Sequence, residues 1–484
     1  MRKIIKLIRF ILLVSILVLF FSCKPKNEKP AEVDLSQYPS VTIDVWDFER
    51  DKATEDWLRE AFKSFETNNP GVKVRYKNLK YTKGLEELDR MVISGTPPDI
   101  VTNALKFFYV EQNFLETFNP FFNKEEIDDF FEPALSTCRY RDKIYGLPWY
   151  TTAYVMFLNL DLFEERKVNP PKNGKWSYRE FIKKMRRLTF DKDGDGQIDV
   201  FGVGYDIQGG SFKPWGFIYS EGARILDKNA ETCIINSAEA GKGVMRLIEM
   251  QSIYKVALPT PIELTPKDVW DSFVYKRNIA VTCEPCWHIN LLRAYNEELK
   301  ENNKRFKKEK QLDKITPLLN FTVAMFPTGS SGIIQLASAG VGNFILFKQK
   351  DSYKREKCVN LIKFIISPEN QREALPLNGL FPSRQSTGFL YNNDPILNGI
   401  QQYIPLALIP PLHPEWKKIS AILNTELRRI LKQTKYDDKG RQVPLRIQEV
   451  TEILAYSKIK IDVILEELRK KEIEEKLKVK KNTN

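Results

Sequence analysis

Strands and amphipathic helices alternate from residue 41 onwards, and this alternation restricts the fold more than any other feature of the chain. VTIDVW (41–46) and VKVRY (72–76) are rich in β-branched residues, and apolar and polar positions alternate in the second. Between them, residues 55–71 repeat apolar side chains at helical spacing and end in an Asn-Pro-Gly turn. A second helix is predicted at 84–95 and a third strand at 97–103. This order predicts a parallel α/β sheet with right-handed crossovers.

The length of the chain requires more than one hydrophobic core. It has 484 residues, of which 42% are hydrophobic, and two lobes are expected because single cores stop growing at roughly 250–300 residues. The formal net charge is +12, but Lys and Glu are interspersed in the most basic runs, 300–314 and 468–481. Such mixed runs are typical of solvated helix faces or disordered ends, so we expect no nucleic-acid partner.

The first 23 residues have the pattern of an export signal. Basic residues precede an apolar run from Phe10 to Phe21, which is shorter than the roughly 20 residues of a membrane-spanning helix. The run ends in Ser22-Cys23, and the segment resembles a bacterial lipoprotein signal, in which cleavage before the cysteine accompanies its acylation. The resemblance implies that Cys23 holds the protein on the extracytoplasmic face of a membrane, at the cell surface or in the periplasm. An ordinary signal peptide cut elsewhere and an uncleaved anchor are the alternatives.

Cysteine usage excludes a disulfide framework. Six cysteines occur, and the five that follow Cys23 are an odd number, so at least one is unpaired. Cys283 and Cys286 have the spacing of a redox motif, although no Trp stands immediately before the first of them. A zinc site needs a second pair of ligands, and the chain has only two histidines, His288 and His413. Either a local disulfide or two small buried thiols is expected at this motif.

A series of sequence segments in a fixed order carries a family resemblance. The segments are VTIDVWDF, NNPGVKVRY, GTPPDIVTN, YGLPWYTTAYVMFLNLDLFEE, LTFDKDGDGQIDVFGVGY, WGFIYSEGA, KRNIAVTCEPCWHI, AGVGNFILF, SPENQ, NGLFPSR and HPEWKKI. In this order they resemble the extracellular solute-binding proteins of bacterial ABC importers, specifically the carbohydrate-type, maltose-binding-like group. Two features differ: Cys283-Glu-Pro-Cys286 replaces the usual Gly-Pro before Trp287, and a charged stretch near 296–316 resembles an insertion.

The resemblance implies a periplasmic-binding-protein fold of two α/β lobes, each a mainly parallel sheet flanked by helices, with a multi-strand hinge. The predicted units are a signal peptide (1–22), a flexible tether (23–39), an N-lobe (40–150 and 338–385) and a C-lobe (151–337 and 386–484). The resemblance also implies a monomer that captures a carbohydrate between the lobes by hinge closure and delivers it to the transmembrane subunits of a permease. It implies neither an enzymatic activity nor a required cofactor.

Aromatic, amide and carboxylate side chains near strand ends are the candidates for solute contacts. Trp and Tyr stack on the apolar faces of sugar rings, while amides and carboxylates bond the hydroxyls. Trp287 matches the ligand-facing Trp of the family, and Glu284 stands close to it. The other candidates end a strand, lie at the lobe crossover or lie in a Gly-rich loop: Trp46, Asp47, Asn103, Trp149, Tyr150, Phe212 and Trp215. Packing in a hydrophobic core is the alternative for each aromatic residue.

Four aspartates reproduce the acidic positions of a calcium-binding loop: Asp191, Asp193, Asp195 and Asp199. Their carboxylate oxygens suit Ca²⁺, and the glycine after Asp195 allows the sharp turn of such a loop. Gly202 occupies the position of the bidentate Glu, so any site lacks a major ligand. The segment predicts either a structural Ca²⁺ site or a polar turn without an ion.

A secreted carbohydrate-active enzyme and a structural surface lipoprotein are the rival function classes. A glycosidase needs two carboxylates about 5–10 Å apart, which a chain this rich in acidic residues could supply. The sequence contains no nucleophile elbow, no H-E-x-x-H and no Ser/His/Asp grouping. These observations favour a solute-binding function over an enzyme.

Overall fold

The computed structural model describes residues 39–207, 213–330, 332–410, 412–433, 435–436, 439 and 441–482. In this part of the chain the strands are β1 (Val41–Phe48), β2 (Val72–Leu79), β3 (Ile100–Thr102), β4 (Arg139–Tyr140), β5 (Lys143–Ile144), β6 (Leu147–Asn159), β7 (Phe201–Gly204), β8 (Ile279–Pro285), β9 (Phe321–Ala324), β10 (Leu336–Leu346), β11 (Phe381–Pro382), β12 (Ala407–Leu408), β13 (Lys435–Tyr436) and β14 (Gln442–Val443).

The α-helices of the same part of the chain are α1 (Lys52–Asn68), α2 (Tyr81–Ile93), α3 (Phe107–Glu111), α4 (Lys124–Asp128), α5 (Glu132–Ser136), α6 (Leu160–Glu165), α7 (Tyr178–Arg187), α8 (Trp215–Tyr219), α9 (Ala238–Ile248), α10 (Pro266–Val274), α11 (His288–Lys308), α12 (Ser352–Ile365), α13 (Pro368–Ala374), α14 (Pro395–Gln401), α15 (Trp416–Lys432) and α16 (Ile447–Asn482). Short 3₁₀ turns cover Asn119–Phe121, Lys172–Gly174, Leu312–Lys314, Leu375–Asn378, Gln385–Thr387 and Ile404–Leu406, and one π-turn covers Glu249–Ile253.

The five elements predicted at the start of the chain are confirmed, with boundaries shifted by a few residues. β1 pairs in parallel with β2 on one side and with β3 on the other. α1 begins after Asp51, whose carboxylate accepts the hydrogen bond of the Thr54 backbone N–H. One face of α1 is buried, with apolar residues at helical spacing: Leu58, Ala61, Phe62 and Phe65. The periodicity that predicts this helix is therefore the face that holds it on the sheet.

Two long strands, β6 and β10, connect the parts of a ten-stranded sheet with the order β2-β1-β3-β10-β6-β8-β7. Residues 147–153 of β6 pair with β10, and residues 154–159 pair with β8 and β9. Every pair that β6 makes is antiparallel, whereas β7 pairs with β8 in parallel, as β1 does with its neighbours. The sheet is mixed because β10 is antiparallel to both of its neighbours in the sheet order, β3 and β6, whereas β1, β2 and β3 run parallel to one another. β6 is an almost uninterrupted apolar run because both of its faces are buried.

Helices cover both faces of the sheet in each lobe. In the C-lobe, α7, α8, α9, α15 and α16 pack on one face, and α10, α11 and α14 pack on the other. In the N-lobe, α1 and α12 cover one face, and α2 and α3 cover the other. Alternate residues of β6 enter different clusters, as the period of two in a strand requires. The ends of the strands are the positions that the helices leave available for a site.

The predicted signal peptide, residues 1–22, and the predicted tether up to residue 38 lie outside the described residues. Two findings concern the described residues themselves. None of their helices is both long enough and apolar enough to cross a membrane. The five cysteines after Cys23 are free and buried, so Cys283 and Cys286 are two buried thiols and not a disulfide.

Candidate functional site

The carboxyl ends of β1, β2 and β3 bring polar side chains together in the N-lobe. Asp47, near the end of β1, is fully buried. Its carboxylate accepts hydrogen bonds from Arg50 Nε at 2.9 Å, from Tyr76 Oη at 3.0 Å and from the Thr102 hydroxyl. Burial alone would raise the pKa of Asp47, but the charge and hydrogen bonds of Arg50 outweigh it and hold the pKa below its ordinary value. Asp47 is therefore an ionised carboxylate that N-lobe donors hold in place.

Arg50, which is not among the predicted site residues, covers the aromatic pair Trp149 and Tyr150 at the lobe crossover. Its guanidinium carbon lies 4.9 Å from the centroid of the Trp149 ring and 5.6 Å from that of Tyr150. Trp149 is fully buried and packs against Phe344 at a centroid distance of 5.3 Å. Trp149 thus lies in the core beneath Arg50, whereas Tyr150 is half-buried and keeps part of its ring accessible.

Asn103 joins three strands at the same edge of the sheet. Its backbone has a left-handed φ of 52°, a conformation that Asn adopts more readily than most residues. Its side-chain amide donates to Tyr150 Oη at 3.1 Å, and its side-chain oxygen accepts from the Asn343 backbone N–H at 3.2 Å. Gly342 permits this arrangement, since a Cβ there would lie 2.1 Å from the Tyr150 ring. Asn103 and Tyr150 are therefore fixed side by side, and we call them, together with Asp47 and Arg50, the N-lobe wall.

Two of the other aromatic candidates lie in hydrophobic cores. Trp46 points to the opposite face of the sheet from Asp47, where it is buried, with Lys77 Nζ 4.5 Å from its ring centroid. Trp215 begins α8 and is buried in the C-lobe cluster. Phe212 lies outside the described residues.

A second polar group lies at the carboxyl ends of β7 and β8 in the C-lobe. Lys213 Nζ lies 3.1 Å from Asp206 Oδ1 and 2.9 Å from Glu284 Oε2, and both acids are fully buried. Cys283 Sγ donates to the backbone oxygen of Lys213 at 3.0 Å. Burial raises the pKa of Glu284 to about 7, although the neighbouring lysine opposes the shift. Lys213 thus pairs with two buried carboxyl groups, those of Asp206 and Glu284, near the end of β8, and Trp287 follows this strand.

Trp287 follows β8 and lies between the lobes. The residue belongs to the C-lobe, yet its half-buried ring packs against the same N-lobe cluster as Tyr150 does. Its ring centroid lies 6.0 Å from that of His288, which in turn packs edge-on against Trp270 at 4.4 Å. His288 Nδ1 is 3.4 Å from Glu284 Oε2, and burial lowers the pKa of His288 to about 4. The imidazole beside Glu284 is therefore neutral at pH 7.

The aspartate loop holds its shape through its own hydrogen bonds. Ligand oxygens of Asp191, Asp193 and Asp195 lie within 4.8 Å of one another. Asp191 accepts bonds of 2.7 Å from the backbone N–H groups of Gly194 and Gly196, and these bonds lower its pKa. Asp199 is outside this group of three and accepts the Lys192 backbone N–H at 2.6 Å. A structural Ca²⁺ at this loop stays a prediction.

The structure thus brings the predicted residues together in two groups. Asp47, Asn103 and Tyr150 meet in the N-lobe, and Glu284 and Trp287 lie close together in the C-lobe. The remaining described candidates, Trp46, Trp149 and Trp215, are core residues of the fold.

Several polar residues beside these groups were missed: Arg50, Tyr76, Asp206, Lys213 and His288. Arg50 follows Asp47 by three residues, and Asp206 follows the end of β7, so a rule that inspects the residues just after each strand finds both. The same rule finds His288, three residues after the end of β8, whereas Tyr76 and Lys213 become apparent only when the strands are paired.

Residues 51–372 match the model of one protein family, the bacterial extracellular solute-binding proteins. This chain belongs to that family. The description of the family is that of solute-binding proteins that act outside the cytoplasm.

Solved structures of sugar-binding proteins share the fold. The cyclic alpha-maltosyl-1,6-maltose binding protein of Arthrobacter globiformis has a TM-score of 0.69 at 17% identity, covering 88% of this chain and 99% of that chain. The sugar-binding protein MalE of Xanthomonas citri has a TM-score of 0.66 at 19% identity, covering 89% and 98%. An ABC transporter solute-binding protein of Thermotoga lettingae, bound with alpha-D-tagatose, has a TM-score of 0.63 at 20% identity, covering 87% and 100%. At these identities the similarity shows the two-lobed solute-binding fold.

Proposed function

We propose that this protein is the solute-binding component of an ABC importer and that it captures a sugar or oligosaccharide between its lobes for delivery to a permease. The position of Trp287 carries the proposal. Its ring leaves the end of a C-lobe strand and packs against the N-lobe cluster, so a solute held between the lobes would meet an aromatic face there.

The N-lobe wall supplies the groups that a sugar needs. Tyr150 offers the accessible part of its half-buried ring and its hydroxyl, and Asn103 offers an amide within 3.1 Å of that hydroxyl. Arg50 holds Tyr150 in place, because its guanidinium lies over the Tyr150 ring while it pairs with the Asp47 carboxylate. Groups held this rigidly lose little conformational freedom on binding, which favours affinity.

On the C-lobe side, Asp206, Lys213 and Glu284, which with Trp287 we call the C-lobe wall, support Trp287 in a similar way. The ion pairs of Lys213 with Asp206 and Glu284 join the ends of β7 and β8 directly beneath the chain segment that carries this Trp. Because the buried acids touch Lys213 and not the surface, we assign them a positioning role, and we assign the solute contact to Trp287.

Hinge closure would couple the two walls. The lobes share β6 and β10, and β11 adds Phe381 and Pro382 beside the same part of β6. A solute that contacts both walls binds the closed arrangement better than the open one and shifts the population towards it. The permease subunits would then distinguish the loaded from the empty protein by shape.

Carbohydrate is the solute class that the relatives support. The Arthrobacter protein is named for a cyclic maltosyl-maltose, and the Thermotoga protein is bound with a ketohexose. The mixture of aromatic and amide groups on the two walls here fits the same class.

The proposal includes a lipid anchor at Cys23. Residues 23–39 would form a tether with an end-to-end distance on the order of 20 Å, which leaves the lobes free to turn above a membrane. The lipoprotein-like signal and the polar composition of residues 24–34 support this arrangement.

A thermal-shift screen of the mature protein against maltose, maltotriose and tagatose tests the function. A sugar at 100 times its dissociation constant should stabilise the protein by about 2.7 kcal/mol. Asn103→Ala should remove most of that shift, and Asn68→Ala, an exposed Asn on α1, should leave it unchanged. A sugar that is cleaved during the incubation would overturn the proposal in favour of an enzyme, and equal shifts for both variants would remove Asn103 from the site.

A further inference from the structure

The last helix, α16, has a second apolar side besides the one that packs on the C-lobe. Its buried side repeats every three or four positions: Val450, Leu454, Ser457, Ile461 and Leu465. Five other apolar residues of the helix are each 51–61% exposed: Tyr456, Ile459, Val463, Ile473 and Leu477. At about 100° of rotation per residue, the exposed residues lie on the side of α16 opposite to the buried ones. Single exposed apolar residues are ordinary, whereas a row of them on one helix face marks an interaction surface.

The spacing of the exposed residues is that of a coiled-coil seam. Intervals of three and four residues alternate along the helix once Glu466 and Lys470 are included. We call the complete series the outer stripe: Tyr456, Ile459, Val463, Glu466, Lys470, Ile473 and Leu477. This alternation is the pattern by which one helix packs along another. The outer stripe is about 32 Å long, so its partner should also be a helix of several turns.

The centre of the outer stripe is polar and carries one acid and one base. Lys470 Nζ lies 3.0 Å from Glu466 Oε1, and the two side chains are 68% and 61% exposed. An anionic lipid surface would repel Glu466, and a purely apolar partner would bury both charges without new partners, which is costly. The outer stripe therefore needs a partner that places a base opposite Glu466 and an acid opposite Lys470.

A second copy of the same helix, running in the opposite direction, meets this requirement. With a two-fold axis beside residue 468, Glu466 faces Lys470 of the second copy, and Lys470 faces Glu466 of the second copy. The same axis forms apolar pairs across the interface, Val463 with Ile473 and Ile459 with Leu477. In a parallel pair each residue would face itself, so like charges would meet at the centre. The outer stripe is therefore complementary to itself in the antiparallel direction, as a two-fold interface requires.

We propose that two copies of this protein associate through their outer stripes as an antiparallel pair of α16 helices. The core of each C-lobe lies on the far side of its own α16, so the two C-lobes lie on the outside of the helix pair. A contact of this length buries on the order of 1,000 Å² in total, which is at the low end for specific interfaces, and the pair should be weak and reversible. The proposed lipid anchor would raise the local concentration of chains on a membrane and favour the pair. The proposal departs from the monomer that the family resemblance implies, and it does not depend on the solute.

Sedimentation velocity tests the pair in the mature chain with Cys23→Ser, which carries no lipid. The protein should be mostly monomeric at about 1 µM, and the fraction of dimer should grow towards about 300 µM. Lys470→Glu and Glu466→Lys should each weaken the dimer about tenfold, because two attractive contacts become two repulsive ones. The matched control is Lys304→Glu on α11, which reverses the charge of an exposed lysine paired with Glu301. This control should dimerise as the wild type does.

Mixing variants tests both the charge pairing and the direction of the helices. Lys470→Glu has two acids at the centre of the outer stripe and Glu466→Lys has two bases, so an equimolar mixture should dimerise as readily as the wild type. With oxidised glutathione, a mixture of Val463→Cys and Ile473→Cys should form disulfides between unlike chains, whereas a parallel pair would link like chains. The five native cysteines among the described residues are buried and should not interfere.

Three results would overturn the proposal. One is a protein that stays monomeric at about 300 µM, which would leave the tether or a lipid surface as the cover of the outer stripe. Another is a dimer that Lys470→Glu leaves intact or that Lys304→Glu weakens equally, because the contact would then lie elsewhere. The third is disulfide formation between like chains alone, which would exclude the antiparallel pair.

Discussion

Replacing Gly342 by Ala tests whether Tyr150 is held where the proposed site needs it. A Cβ at residue 342 would lie 2.1 Å from Cε1 and 2.2 Å from Cζ of Tyr150, far inside an ordinary contact of about 3.5–4.0 Å. The ring has little room to retreat, since Arg50 lies over its face and Asn103 bonds its hydroxyl. Overpacking costs about 1–3 kcal/mol and the lost hydrogen bond about 0.5–1.5 kcal/mol. We expect Gly342→Ala to lower the free energy of unfolding by about 2–4 kcal/mol.

Urea unfolding followed by tryptophan fluorescence measures this change, and the chain offers a matched control. Gly399 lies in α14 with nothing within 4 Å of its Cβ position. Gly399→Ala should therefore stabilise the protein by up to about 1 kcal/mol through helix propensity. Gly342→Ala should also weaken sugar binding, because Tyr150 and Asn103 separate. A Gly342→Ala protein that unfolds at the wild-type urea concentration and binds sugar normally would refute this account of the N-lobe wall.

Four further expectations concern the cleft, pH, the membrane and the aspartate loop. Trp287→Ala should weaken sugar binding roughly 30- to 1,000-fold in a fluorescence titration with little change in melting temperature; normal binding with a melting temperature several degrees lower would make Trp287 a core residue. Burial raises the pKa of Glu284 from 4.5 to about 7, so the stability that it contributes is complete below about pH 4.5 and is lost as pH rises through 7. Urea unfolding at pH 5 and pH 8 should therefore show a loss in the wild type that Glu284→Gln reduces by on the order of 2 kcal/mol, and identical losses would contradict the burial argument. Cys23→Ser should leave the protein unprocessed or released from membranes, and membrane fractions that still carry acyl label on this variant would exclude the anchor. A chelator should lower the melting temperature of the wild type but not of Asp193→Ala, and equal wild-type curves with and without chelator would leave only an ion-free turn.

Local periodicity predicts the order of elements because each element satisfies a local rule. The run of apolar residues in α1 and the alternation in β2 are visible in the sequence and correspond to the faces that pack. The antiparallel pairing of β10 with β3 cannot be predicted in this way. It pairs Phe344 with Thr102, and no local pattern records which distant strand completes a sheet.

In the candidate site, too, local rules predict some residues, whereas others depend on contacts between distant segments. The rule that ligands lie at the carboxyl ends of parallel strands leads to Asp47 and Asn103, which the structure places in one polar group. The same rule cannot tell whether Trp46 or Asp47 faces the site, because the direction of a side chain depends on the register of the strand. The burial of Trp149 also depends on a distant segment, because Phe344 of the neighbouring strand β10 packs against its ring. Lys213 was missed because its partners, Asp206 and Glu284, lie on two other segments of the chain.

The position of β10 has a consequence for the timing of folding. β10 lies between β3 and β6 in the sheet, yet it ends at residue 346, long after its neighbours have been synthesised. Until that strand arrives, β3 has an open edge and the first lobe lacks its central connection. Pairings between such distant segments form slowly. If the proposed signal peptide exports the chain before it folds, this delay is an advantage, because the strand order itself keeps the first lobe from completing its sheet until β10 has been made. A circular permutant that places β10 ahead of β6 should fold sooner and be translocated less efficiently.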